Sequence, residues 1–180
     1  MACNSLSSLP RSCSEGVLAG LEKVYIIAFK DLVPVSTGST EVYSTSGSGV
    51  VNEIGLASGK TFVEIGLLKS TSGLNETLTK DNTKGTSFFT QTFTLVLGDL
   101  NTDNQAFIKN VQNQPVSMIY KTRTGKYFVI GLNGQFEVSG IEGGTGVAEA
   151  DLIGHTLTFS GISTSVASLI DESIVTDLIA

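Results

Sequence analysis

The sequence predicts a mainly β fold of the α+β class, a β-sandwich or split barrel with one flanking helix over about residues 102–113. Three observations carry this prediction. Residues 88–97 alternate strictly, with Phe89, Phe93, Leu95 and Leu97 on one face and Phe88, Thr90, Thr92, Thr94 and Val96 on the other. That is the period of two of a β-strand. One segment with convincing helical signals follows, opened by Asn101-Thr102-Asp103-Asn104, whose side chains can accept from the free N–H groups of a first turn. The remainder is rich in serine, threonine and glycine, has three prolines and no tryptophan, and breaks its apolar residues into short runs. Such a composition suits many strands joined by turns.

In chain order, residues 1–20 read as a leader without a fold of its own, with Gly16 and Gly20 at its end. Glu22 to Lys30 is a strand apolar on both faces, Val24, Ile26 and Ala28 against Tyr25, Ile27 and Phe29. A strand of this kind lies between two layers, or between a sheet and a neighbouring subunit. Short β-prone pieces follow at 41–45, 50–56 and 60–68, and the turns at 46–49 and 57–60 fit hairpin connections. Residues 69–87 are polar apart from Leu74 and Leu78. They predict a long hairpin arm or a mobile loop, the natural candidate for reaching a neighbour.

The strand 88–97 stops at Gly98. In the helix, Ala106, Phe107, Ile108 and Val111 form one apolar stripe, ended by Gln114-Pro115. Residues 116–122 and 126–132 then pair around Arg123-Thr124-Gly125. Asn133-Gly134 turns the chain into a strand at 135–139, so that the three runs predict a β-meander. The four glycines of 140–146 predict a loop, and 155–160 a last strand. Beyond Gly161, the spacing of Leu169, Ile170, Ile174 and Leu178 suits a helix or an extended arm. The expected organisation is one β-rich domain over 21–161, with a leader at 1–20 and an extension at 162–180.

The charge is uneven. Residues 1–126 hold all eleven Lys/Arg and ten acids, whereas residues 127–180 hold no Lys or Arg and seven acids: Glu137, Glu142, Glu149, Asp151, Asp171, Glu172 and Asp177. The last third therefore lacks the basic patch that neutralises phosphates, which argues against tight nucleic-acid binding. No apolar run reaches the roughly 18 residues of a membrane span, and the first residues do not read as a signal peptide. Cys3 and Cys13 are the only cysteines and suit free thiols, a small loop or an intersubunit contact. His155, the only histidine, suits a structural role. The glycines at 47–49 and 143–146 lack the spacing and partners of nucleotide-binding loops and read as turns. No nucleophile motif, metal-ligand set or cofactor signature stands out, so no catalytic, metal or cofactor site is expected and the chain is not expected to be an enzyme.

The order of elements resembles the tail tube proteins of tailed bacteriophages and the related tube-like ring proteins of short-tailed phages. The resemblance covers roughly 20–161. It rests on Gly20-Leu21-Glu22-Lys23-Val24-Tyr25-Ile26, the polar arm before Phe88, and the strand–helix step through 101–114. It rests further on Gly131-Leu132-Asn133-Gly134-Gln135-Phe136-Glu137-Val138-Ser139-Gly140 and on Gly154-His155-Thr156-Leu157-Thr158-Phe159-Ser160-Gly161. The resemblance implies a virion structural protein, made in the host cytoplasm, whose copies form a ring, hexameric in that family. The rings serve as a conduit through which DNA slides without tight binding, and they contact other tail or neck proteins. On that view Tyr25, Ile27, Phe29, Leu74, Leu78 and Phe88 are candidates for the assembly interface. Glu137, Glu142, Glu149 and Asp151 are candidates for an acidic lumen. The alternatives are a neck or adaptor ring protein of a short-tailed phage and, from another class, a carbohydrate-binding β-sandwich module. The latter is disfavoured by the absence of tryptophan and by the placement of Tyr25, Tyr43, Tyr120 and Tyr127 within strands.

Overall fold

The computed structural model describes residues 19–68, 70–148 and 151–179. They form a mainly β structure of antiparallel sheets that do not close into a barrel. The strands are β1 (Leu21–Ala28), β2 (Tyr43–Thr45), β3 (Val51–Ile54), β4 (Val63–Ile65), β5 (Gly73–Asp81) and β6 (Thr86–Gly98). After helix α1 (Thr102–Val111) come β7 (Val116–Thr122), β8 (Tyr127–Ile130), β9 (Glu137–Gly144), β10 (Gly154–Ser163) and β11 (Ser168–Leu169), then helix α2 (Glu172–Leu178). Among the described residues no helix is long and apolar enough to cross a membrane.

The central layer is a five-stranded sheet in the order β11-β8-β7-β1-β4. The two apolar faces of β1 explain its place there. Val24 and Ile26 enter one core, and Tyr25 and Ile27 enter another on the opposite side. β7 repeats the arrangement, with Met118 and Tyr120 on the first face and Ile119 on the second. Two consecutive residues both buried from opposite faces require a layer on each side of the sheet.

The first of these layers is a four-stranded sheet in the order β5-β6-β10-β9. Phe93, Leu95 and Leu97 of β6 and Leu157 and Phe159 of β10 pack against the central sheet. Phe93 lies 6.1 Å from Tyr120, ring centre to ring centre, and Tyr120 stacks on Phe128 at 5.4 Å. α1 adds Phe107, Ile108 and Val111 to this core. Its N-terminus is capped as the sequence predicts, Asn101 Oδ1 accepting from the Asn104 backbone N–H at 2.8 Å.

The second layer is the β2–β3 hairpin with α2, which contributes Val175 and Leu178 beside Val51, Ile54, Phe62 and Ile170. Backbone hydrogen bonds fix it in place. The Phe62 N–H donates to the Leu178 carbonyl at 2.8 Å, and the Asp171 N–H donates to the Val51 carbonyl at 2.9 Å.

Of the two readings of the polar segment before Phe88, the hairpin arm is the one that forms, because β5 pairs with β6 from Gly73↔Thr94 to Asp81↔Thr86. Three expectations change. The meander is interrupted: β7 and β8 form a hairpin in the central sheet, while β9 crosses to the other sheet beside β10. Gly131, at φ +80°, makes that crossing, where a Cβ would lie 2.5 Å from the Val116 carbonyl oxygen. Gly140 to Gly144 belong to β9 rather than to a loop, since glycines are tolerated in a strand whose partners supply the packing. Finally, among the described residues there are two α-helices where one flanking helix was expected, because the helical reading of the segment beyond Gly161 holds and it folds as β11 and then α2.

Candidate functional site

The four-stranded sheet has one face in the core and one face open. The register identifies the open face. Asn75, Thr77 and Thr79 of β5 stand opposite Thr92, Thr90 and Phe88 of β6. On the other side of β6, Thr92, Thr94 and Val96 stand opposite Ser160, Thr158 and Thr156 of β10. β10 in turn sets Ser160 opposite Glu137 and Thr156 opposite Glu142 on β9. Residues paired across antiparallel strands share a face, so the open face is mostly hydroxyls, interrupted by Phe88, the buried Val96 and the exposed Ile162 opposite Thr90, with Glu137 and Glu142 at one margin. None of the strand residues on it is Lys or Arg. A bulge between Thr158 and Phe159 sets Ser139 out of register, and its hydroxyl donates to the Thr158 carbonyl at 3.1 Å.

Among the described residues the edges of this sheet are unpaired too. β5 and β9 are its outermost strands, nine and eight residues long. Neither contains proline, and β5 ends at Lys80-Asp81, where Asp81 accepts from the backbone N–H groups of Thr83 and Lys84 and so closes the hairpin tip. Long edges without proline present unpaired N–H and C=O groups to any strand that approaches, and their charges are Glu76, Lys80 and Asp81 on β5 and Glu137 and Glu142 on β9. In the central sheet the edge strands are far shorter, three residues in β4 and two in β11.

The predicted interface residues divide by environment. Tyr25 and Ile27 are 2% and 5% exposed, covered by the β2–β3 layer and α2 of the same chain. Their apolar character serves an internal layer, which leaves no surface for a neighbour. Phe29 packs on the same core, and Leu74 on the first core, each partly buried. Leu78 and Phe88 lie on the β5–β6 arm. Leu78, 52% exposed, stands opposite Phe89 on the face that looks toward the central sheet, and Phe88 is half-buried on the open face.

Of the predicted acidic residues, Glu137 and Glu142 are exposed on the open face. Asp151 sits in the β9–β10 connection, where its carboxylate accepts from the backbone N–H groups of Val147 and Ala148, both at 2.8 Å. Those bonds, Ala148 first, hold its pKa below the usual carboxylate range. Glu149 lies outside the described residues. The threonine field and the two long edges went unnoticed in the sequence as a site. Their signal was the Thr-x-Thr-x-Thr pattern opposite the apolar side of 88–97.

One further carboxylate is set apart from the surface acids. Glu76, half-buried on the inner face of β5, accepts through Oε1 from the Gln91 side-chain amide at 2.8 Å and from the Ala167 N–H at 2.7 Å. It ties the arm to the segment that leads into β11. Among the described residues no group of three or more His, Cys, Asp or Glu side chains is placed to hold a metal ion. Comparison with protein families, with curated proteins and with solved structures yields no match.

Proposed function

We propose that this protein is a structural subunit of a phage tail or neck that joins its copies edge to edge into a ring, with the open hydroxyl face of the four-stranded sheet turned toward the lumen. The observation that carries the reading is the unfinished state of that sheet among the described residues: one uncovered face and two long unpaired edges. Edge-to-edge joining of β5 with β9 of the next copy satisfies both rows of backbone groups. Head-to-tail contacts of this kind close into a ring when the rotation between copies allows it. The resemblance in element order supplies the expectation of six copies and of DNA as the cargo.

The chemistry of the open face fits a conduit. Hydroxyl groups hydrate well without attracting phosphates, and the carboxylates Glu137 and Glu142 repel them. A surface that must let a polyanion slide requires this lack of attraction, whereas a nucleic-acid-binding surface requires Lys and Arg. The role proposed is therefore structural and not catalytic.

The test is light scattering coupled to size exclusion, with negative-stain microscopy of the peak. Rings of fixed subunit number are expected. A proline at whichever of Thr77 and Leu78 directs its N–H away from β6 is expected to return the protein to monomers without unfolding it. A folded wild-type monomer at every concentration, with or without other tail components, sinks the reading. In assembled rings, Glu137→Lys with Glu142→Lys is expected to create salt-sensitive retention of double-stranded DNA that the wild-type ring lacks.

A further inference from the structure

A cavity of about 320 Å³ opens between the β8–β9 turn (131–135) and the β10–β11 connection (164–167). That volume lies at the lower end of the range for small-molecule sites. Its polar lining comes from Tyr43, Gln91, Gln135, Ser163, Thr164 and Ser165, with Val129, Leu132 and Ile162 between them. Among the described residues no Asp, Glu, Lys, Arg or His lines it, and Tyr43 is its only aromatic side chain.

Gln91 is the fixed point of this cavity. It is 4% exposed, and its Nε2 donates to Glu76 Oε1 at 2.8 Å. A carboxylate only accepts, so the planar amide turns its NH2 group to Glu76 and leaves Oε1 on the opposite side. Gln91 lines the cavity and Glu76 does not, which sets that oxygen toward the cavity. Among the described residues no donor meets it, and a nearly buried amide oxygen calls for one. The walls are held as well. Glu76 Oε1 also accepts from the Ala167 N–H at 2.7 Å. Asn133 Nδ2 donates to the Ile162 carbonyl at 2.6 Å, and its Oδ1 accepts from the Gln135 N–H at 3.1 Å. Walls fixed in advance lower the ordering cost of binding.

We propose that this cavity binds one neutral sugar ring, with a ligand hydroxyl donating to Gln91 Oε1. The uncharged lining selects against phosphate, carboxylate and ammonium groups, which would lose water there without gaining a counter-charge. A sugar hydroxyl both donates and accepts. It therefore matches the side chains of Gln135, Thr164 and Ser165, which have no protein partner among the described residues. Val129, Leu132 and the ring of Tyr43 suit the C–H faces of a sugar. A flat nucleobase would instead ask for aromatic stacking, for which Tyr43 stands alone. Recognition by hydrogen bonds inside a cavity needs no tryptophan platform, so the composition that disfavours a surface-binding module does not count against it. The proposal stands whether or not copies join into rings.

The experiment titrates the full ¹⁵N-labelled chain with the common neutral hexoses, deoxyhexoses and N-acetylhexosamines, each as the free sugar and as its methyl glycoside. Saturable shifts centred on the amides of 131–135 and 163–168 and on the Gln91 side chain are expected with at least one of them. Binding of the glycoside as well assigns the site to a residue of a glycan, and binding of the free sugar alone assigns it to a free monosaccharide. The corresponding uronic acids and amino sugars are expected to bind at least about tenfold more weakly. Ser165→Trp, which fills the cavity from an exposed position, is expected to abolish the shifts, while Ser58→Trp, in an exposed turn outside the cavity, leaves them. Gln91→Leu is expected to weaken binding at least about tenfold, and Ser165→Trp carries the test if that variant does not fold. Absence of saturable shifts with every neutral sugar overturns the proposal. So do shifts that persist in Ser165→Trp, or uronic acids that bind as tightly as neutral sugars.

Discussion

The two sheets of this protein share a core and differ in completeness. The central sheet is covered on both faces by its own chain and ends in strands of three and two residues. The four-stranded sheet is covered on one face and ends in strands of nine and eight. A sheet finished within the chain needs nothing else, whereas one with an open face and long free edges leaves work for another molecule. The contrast moves the search for function away from β1, whose apolar faces attract notice in the sequence, and toward the threonine-bearing side of β6 and β10.

The largest expected effects test the contrast residue by residue. Met118→Ala and Ile119→Ala, neighbours on opposite faces of the central sheet, should each cost about 2–5 kcal/mol in urea unfolding, because both side chains are fully buried. In the other sheet, Phe93→Ala should cost about 3–5 kcal/mol and its neighbour Thr94→Ala no more than about 0.5 kcal/mol. A Thr94→Ala loss as large as that of Ile119→Ala would mean that the open face is covered, and the contrast would collapse.

Smaller effects sharpen the comparison at the junctions between layers. Gly131→Ala should cost about 1–3 kcal/mol, measured by the same unfolding curves, since it forces a side chain onto the Val116 carbonyl at a left-handed residue. Glu76→Ala should cost about 1–3 kcal/mol by stranding the Gln91 amide and the Ala167 N–H. Amide exchange should show the loss concentrated in 163–170 rather than spread through the core.

The smallest effect is a pH dependence at α2. Asp171 caps that helix, accepting from the Ser173 backbone N–H and hydroxyl, and these bonds hold its pKa below the usual carboxylate range. A depressed folded-state pKa contributes stability that is present above the unfolded value and lost as pH falls through the folded one. An acid titration of stability below about pH 4 should therefore be shallower in Asp171→Asn than in wild type.

The fold was legible where local pattern and final burial agree. Alternation exposed β6, the doubly apolar β1 announced a buried central strand, and Asn101 marked the start of α1 at the cap that forms. It failed where a strand's burial depends on what lies across from it. β5 could be read only as either a hairpin arm or a loop, because its outer residues join the open face and its inner Leu78 is left exposed, so this edge strand carries little apolar alternation. β9 was split at Gly140 because glycines contribute no side chains to an alternating pattern; of Gly140, Gly143 and Gly144, only Gly143 lies close under a neighbour, where a Cβ would meet His155 at 2.6 Å. The site was legible only in part: Glu137 and Glu142 were singled out for charge, but their common face with the threonines depends on a register no single strand reveals.

The pairing of β1 with β7 has a consequence for how the protein comes to be folded. Ala28 faces Val116 and Leu21 faces Thr122, so β1 must wait for a partner about half the chain away. At about 5–20 residues per second of synthesis, that wait lasts about 5–20 s, during which a strand apolar on both sides has neither of its layers. Contacts this distant in sequence also slow folding through loop-closure entropy. Yield in the cell should accordingly depend more on chaperone capacity and growth temperature than on the stability of the finished sandwich.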